Sequence, residues 1–191
     1  MPREEGAGLR RYETIIATLV GVSALFVSGY TAYVQRQQVR AAVWPILAYT
    51  TSNEPNIRFI VENKGVGPAI VRRVVVTIDG QPARNWDDAL QKLAGPGNYQ
   101  STQSTISGHI FSAGESLTVL MPKNSEGAPL SGEKSGPLWA TLDRERRRVA
   151  VEICYCSTLG ECWTLRSGGN TRSTTTEARS CPETSAISFE Q

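Results

Sequence analysis

Hydrophobic and polar positions divide this chain into two unlike stretches. Thr14–Val34, TIIATLVGVSALFVSGYTAYV, runs for 21 residues without a charge. A helix rises about 1.5 Å per residue, so this stretch matches the roughly 30 Å hydrocarbon core of a bilayer. A helix also pairs its own backbone groups, as hydrocarbon demands. Tyr12 flanks one end, with Tyr30 and Tyr33 near the other, where amphipathic rings suit headgroups. Thr14, Thr18, Ser23, Ser28 and Thr31 interrupt the run, and their hydroxyls can bond back to the preceding turn. Residues 1–13 read as a short charged tail. QRQQVRAAV, residues 35–43, reads either as a helical stalk or as an irregular linker, stopped by Trp44-Pro45.

From Ile46 the period changes to two. Ile57, Phe59 and Val61 alternate with Arg58 and Glu62. NKGVGPA, residues 63–69, is a glycine- and proline-rich turn. IVRRVVVTI, residues 70–78, is apolar on nearly both faces, as in a central strand, and Asp79-Gly80 closes it. Trp86, Leu90 and Leu93 then mark one helical face. Asn85 suits the cap, Asp87 and Asp88 the first turn, and Lys92 and Gly95 the end. Strand character returns over Ser101–Ser112 and Glu115–Met121, where Leu117, Val119 and Met121 alternate. Pro122–Pro137 is a loop, and Leu138–Glu145 a helical turn. Val149–Ser157 and Glu161–Arg166 form a hairpin, and residues 167–180 a mobile Ser/Thr-rich loop. Short strands between turn signals predict an antiparallel, immunoglobulin-like β-sandwich over residues 45–191, with one short inserted helix.

The hairpin carries the most specific pattern. Val149, Val151, Ile153 and Tyr155 share one face, so Glu152, Cys154 and Cys156 take the other. A three-residue loop, Thr158-Leu159-Gly160, keeps the faces of both strands matched and puts glycine at its left-handed position. That register opposes Tyr155 to Trp163, Ile153 to Leu165, Glu152 to Arg166 and Cys156 to Cys162. Cys181 is then left for Cys154, so the expected bonds are Cys156–Cys162 and Cys154–Cys181.

The pairing of an N-terminal anchor with FIVENKGVGPAIVRRVVVTIDG and the later CYCSTLGECW resembles a class of uncharacterised bacterial single-pass membrane proteins. The resemblance covers roughly Ile57 to Trp163. It implies a membrane-anchored β domain, and it carries over no activity and no functional residue.

Charge and cysteines narrow the picture. Residues 1–40 hold five of the twenty basic and three of the eighteen acidic side chains, leaving fifteen of each beyond. A neutral domain argues against nucleic acid as a partner. Arg3, Arg10 and Arg11 before the apolar run outnumber Arg36 and Arg40 after it, a bias toward an inside N-terminus. Val22-Ser23-Ala24 has the look of a cleavage site but falls mid-run, so an uncleaved anchor is the reading. The four cysteines, an even and clustered set, read as disulfides in an exported domain and as a metal site in the cytosol. No C-x2–4-C knuckle is present, which disfavours zinc.

Catalytic signals are thin. His109, the only histidine, lies in a Ser/Thr-rich strand without a nucleophile motif. Ser131-Gly132-Glu133-Lys134 matches S-x-x-K, but in a Pro/Gly loop without its companion motifs. Gly65-Val66-Gly67 is followed by proline and a strand where a phosphate loop needs a helix, so it reads as a tight turn. Arg144, Arg146, Arg147 and Arg148 form a basic cluster that suits anionic headgroups or a partner's acidic patch, although such a run is more often a solvated face, and Glu145 and Glu152 are near enough in sequence to neutralise part of it. The expectation is a non-enzymatic binding or scaffolding domain without a cofactor or metal. It is anchored in the bilayer of a bacterial inner membrane through residues 14–34, faces the periplasm, and meets an envelope protein there. Two alternatives stay open: an envelope thiol–disulfide enzyme using Cys154 and Cys156, and a cytoplasm-facing metal-binding domain.

Overall fold

The chain forms a long N-terminal helix, α1 (Glu5–Ala42), and a separate β-rich unit that starts at Val43. The structure, a computed structural model, describes residues 5–53, 56–123, 137–168, 171–182 and 189. The Ser131–Lys134 motif and most of the Pro122–Pro137 loop lie outside these. Within α1, Tyr12–Ala42 is long and apolar enough to cross a membrane, and none of its apolar window is buried against protein. Thr18 donates to the Thr14 carbonyl, Ser23 to Leu19 and Thr31 to Val27, each at 2.8 Å. These hydroxyls are therefore satisfied inside the helix. The charged tail is helical from Glu5, and residues 35–42 continue the same helix, since nothing before Pro45 breaks it.

The β unit is a two-sheet antiparallel sandwich. One sheet has the order β1-β2-β7-β5, from β1 (Leu47–Ser52), β2 (Arg58–Asn63), β5 (Ser101–Gln103) and β7 (Ser116–Pro122). The other has the order β10-β9-β8-β3-β4, from β3 (Ala69–Ile78), β4 (Gln81–Ala83), β8 (Val149–Cys156), β9 (Cys162–Gly168) and β10 (Thr171–Ala178). Short β6 (Ile110–Phe111) pairs with the start of β3. One core joins the sheets, drawing Phe59 and Val61 from the first and Val74, Val76, Ile153 and Leu165 from the second. The buried Tyr155 hydroxyl accepts the Leu47 N–H at 3.3 Å, a bond that reaches from β8 to β1.

Local chemistry explains much of this. Asp79 and Gly80 both take positive φ, 51° and 78°, in the two-residue link from β3 to β4. Both signs fit the tight hairpin turn that matches strand twist. α2 (Trp86–Ala94) starts where Asn85 Oδ1 accepts the Asp88 N–H at 2.9 Å, and Asp88 Oδ2 accepts the Arg84 N–H at 2.8 Å. Its buried face is Trp86, Ala89, Leu90 and Leu93. A second short helix, α3 (Pro137–Glu145), extends the turn expected there, so two helices are inserted where one was expected.

Three sequence readings change. Residues 171–178 are strand β10, paired along β9, and not a loop. Their run of threonine suits a strand, but its faces are both exposed, so no alternation marks it. β3 has a bulge between Val71 and Arg73 that resets the side-chain phase. Val71 and Val74, three residues apart, thereby both reach the core. β7 carries a register shift against β2, so Leu120 is buried and Met121 half-exposed, against the expected alternation.

Candidate functional site

The β8–β9 hairpin holds three of the four cysteines, Cys154, Cys156 and Cys162, in a fixed register. Glu152 opposes Arg166, Ile153 opposes Leu165, Tyr155 opposes Trp163 and Cys156 opposes Cys162. Ser157 donates to the Glu161 carbonyl at 2.8 Å, leaving Thr158-Leu159-Gly160 as the loop, with Gly160 at φ 80°. The bonds present are Cys156–Cys162 across the hairpin and Cys154–Cys181, the latter carrying the chain after β10 back to β8. Among the described residues no cysteine is free. The two bonds touch: Cys156 Sγ lies 3.8 Å from Cys181 Sγ. The sulfurs of Cys156, Cys162 and Cys181 all fall within 4.8 Å of one another. Bonded as disulfides they carry no thiolate for a metal or for nucleophilic attack; only reduction would create one.

The arginine cluster is spread over the end of α3 and the 3-10 turn Arg146–Arg148. Arg144 pairs with Glu145 at 2.7 Å and Arg146 with Asp143 at 3.2 Å. Arg148 Nε donates to Asp79 Oδ2 at 2.8 Å and its Nη1 lies 3.4 Å from Glu145. The hydrogen bond from Arg148 holds the Asp79 carboxyl below its ordinary range. Glu152 takes no part in this network: it sits between Arg73 at 3.4 Å and Arg166 at 2.8 Å. Arg147 is exposed and makes no ion pair among the described residues. Arg146 and Arg147 line an open groove of about 410 Å³ together with Thr50, Thr51, Asn53 and Ser167. Sequence alone offered four equivalent cations, whereas among the described residues Arg147 alone of the four has no acid partner.

His109 does not meet a nucleophile in the described contacts. Its Nε2 is 2.8 Å from Glu115 Oε1, and its ring packs edge-on against Phe111 at 4.5 Å. Glu115 is held below the ordinary glutamate range first by the Ser112 N–H and then by His109. The pair closes the turn between β6 and β7.

One feature escaped sequence reasoning. Asn63 is fully buried and ties the NKGVGP turn together. Its Oδ1 accepts from Ile46 N at 3.2 Å and Gly65 N at 3.0 Å, and its Nδ2 donates to the carbonyls of Gly67, Phe111 and Ser112. The turn lies directly on the backbone of Val43–Ile46: a Cβ on Gly65 would come within 2.4 Å of Trp44 O, and one on Gly67 within 2.1 Å of Val43 O. The G-x-G spacing was the visible signal, with backbone approach as its reason. Set against this geometry, models of known protein families, curated proteins and solved structures give no match to the chain.

Proposed function

We propose that this protein is a single-pass membrane protein whose disulfide-stapled β-sandwich binds or scaffolds a partner at the bacterial cell envelope without catalysing a reaction. The observation that carries the reading is the complete pairing of four cysteines in the domain that follows an exposed apolar helix. Disulfides persist in oxidising compartments, so the domain belongs outside the inner membrane, in the periplasm, with the N-terminus in the cytoplasm. The small excess of arginine before the span agrees with that orientation. The partner is a protein, and the groove beside Arg147 suits an acidic side chain on it.

The test is a topology reporter fused after Gln191, combined with alkylation of the native chain before and after reduction. Periplasmic reporter activity and four thiols that alkylate only after reduction support the reading. Cytoplasmic activity with reactive thiols overturns it in favour of a cytoplasm-facing domain, whose reduced Cys156, Cys162 and Cys181 would form a metal-binding cluster. The contact between the two disulfides favours one rival, a thiol–disulfide exchange enzyme using Cys154 and Cys156. A periplasmic chain with a low-pKa free thiol in that pair would support it instead.

A further inference from the structure

The cysteine cluster holds a contact that neither of its bonds requires. Cys156 is bonded to Cys162, and Cys181 to Cys154, yet Cys156 Sγ lies 3.8 Å from Cys181 Sγ. Two sulfurs of different disulfides in contact are placed for thiol–disulfide exchange as soon as either becomes a thiolate. The strand favours it too. Cys154 and Cys156 are two apart on β8 and so share a face, which lets Cys181 bond to either from one side.

Access decides where exchange starts. Cys154, Cys156 and Cys162 are buried, and Cys181 is half-buried. An outside thiolate therefore reaches Cys181 first. Its attack on Cys181 Sγ breaks the bond to Cys154, which leaves as a thiolate. If the attacker is a dithiol, its second sulfur then closes a ring on the first and releases Cys181 as a thiolate. That thiolate faces Cys156 Sγ, and its attack forms Cys156–Cys181 and expels Cys162. Reduction of the hairpin bond ends at the same place: a freed Cys156 thiolate attacks Cys181 and expels Cys154. In both routes the dithiol loses two electrons and two protons, and Cys154 and Cys162 gain them as thiols. Each displaced sulfur has a polar neighbour in position. The Thr164 hydroxyl, 3.6 Å from Cys154 Sγ, can donate to its thiolate. The Gly160 carbonyl, 3.5 Å from Cys162 Sγ, can accept from its thiol.

We propose that Cys156 and Cys181 form an internal exchange pair: when a dithiol reduces the domain by one bond, the sulfurs re-pair as Cys156–Cys181 and leave Cys154 and Cys162 as thiols. The first reduction then unlocks the short hairpin loop but keeps the chain after β10 tied to β8, through Cys156 in place of Cys154. The proposal goes beyond the binding reading of the domain and does not depend on its partner or compartment, so a topology result against that reading leaves it standing.

The full oxidised chain in detergent micelles, treated with one equivalent of dithiothreitol, tests it. Acid stops the exchange, N-ethylmaleimide blocks the thiols, and cleavage after Tyr155 and Glu161 separates the three hairpin cysteines for mass spectrometry. Chains that keep one bond should carry it mostly as Cys156–Cys181, with the label on Cys154 and Cys162. One-bond chains that keep Cys156–Cys162, labelled on Cys154 and Cys181, would overturn the proposal. So would chains that keep Cys154–Cys181, labelled on Cys156 and Cys162. This map of the wild-type chain needs no variant to fold. A second measurement isolates the pair. Cys154→Ser with Cys162→Ser should yield a chain without a labelled thiol, and reduction should lower its denaturant midpoint. The same variant folded with Cys156 and Cys181 both labelled would also overturn it.

Discussion

Helix α1 and the β-sandwich solve the same problem in two ways. Both must satisfy backbone groups and dispose of apolar side chains. Between its ends α1 pairs its backbone locally, as it does the hydroxyls of Thr18, Ser23 and Thr31, and leaves Ile15, Leu19, Leu25 and Phe26 exposed. The sandwich buries its apolar residues in one core and pairs its polar groups over long stretches of chain, as Tyr155 does with Leu47 and Asn63 with Phe111. The difference teaches where each part gets its stability. The helix needs only a solvent that accepts its side chains, whereas the sandwich needs its distant segments to meet.

The strongest break of that contrast is a charge in the helix. Val20→Arg with Leu25→Arg should abolish membrane retention, since each arginine near a span centre costs about 2.5–3.5 kcal/mol on insertion scales. The sandwich should keep its fold. Carbonate extraction and limited proteolysis of the same sample read both effects; wild-type retention of the double variant would refute the spanning role.

Removing long-range closure should hurt the sandwich alone. Cys154 and Cys181 are 27 residues apart and Cys156 and Cys162 only 6. Chain-entropy arguments give about 3.5 kcal/mol for the first bond and about 2 kcal/mol for the second. Denaturant unfolding of the two double-alanine variants should rank them in that order, with membrane retention unchanged. Equal losses would mean that the hairpin bond does more than close a loop.

Asn63→Leu should cost at least about 2 kcal/mol, because it strands the buried or half-buried carbonyls and N–H groups that Asn63 satisfies. A shift in denaturant midpoint without a change of slope would check it. The smallest effect is pH-dependent. Asp88 sits below the ordinary aspartate value of 3.8, first through the Arg84 N–H and then through Lys92. Its folded value is the lower one, so its contribution is fully present above 3.8 and is lost as pH falls through the folded value. Thermal melts descending from about pH 5 to about pH 2 should show this loss, and Asp88→Asn should flatten it. An unchanged slope in the variant would remove Asp88 from the account.

The candidate site was partly legible. The hairpin register, the loop ending in Gly160 and the opposition of Cys156 to Cys162 follow from period-two faces and turn chemistry, all within 14 residues of chain. The arginines were legible as a cluster but not as a network, because Asp79, which pairs with Arg148, lies 69 residues away. The juxtaposition of Val66 with Trp44 and Ile46 was not legible, because these residues belong to two segments that no local period connects.

The sequence by itself determined α1, the capped helix α2, the Asp79-Gly80 turn and the faces of β2 and β8. In each case the signal is a repeat or a cap within a few residues, where backbone geometry and side-chain direction decide the outcome. Only the tertiary structure decided the rest. β10 is a strand because β9 offers it hydrogen bonds, not because its threonines alternate. The bulge in β3 exists because β8 fixes the register on both sides of it. Phe189 packs on Trp86 at 4.9 Å and donates its N–H to Val74. The β3–β8 and Phe189 contacts join residues far apart in the chain, and their free energy appears only when the segments meet, so no local pattern carries them; β10 lies next to β9 in the chain, but its threonines show no alternation to mark it.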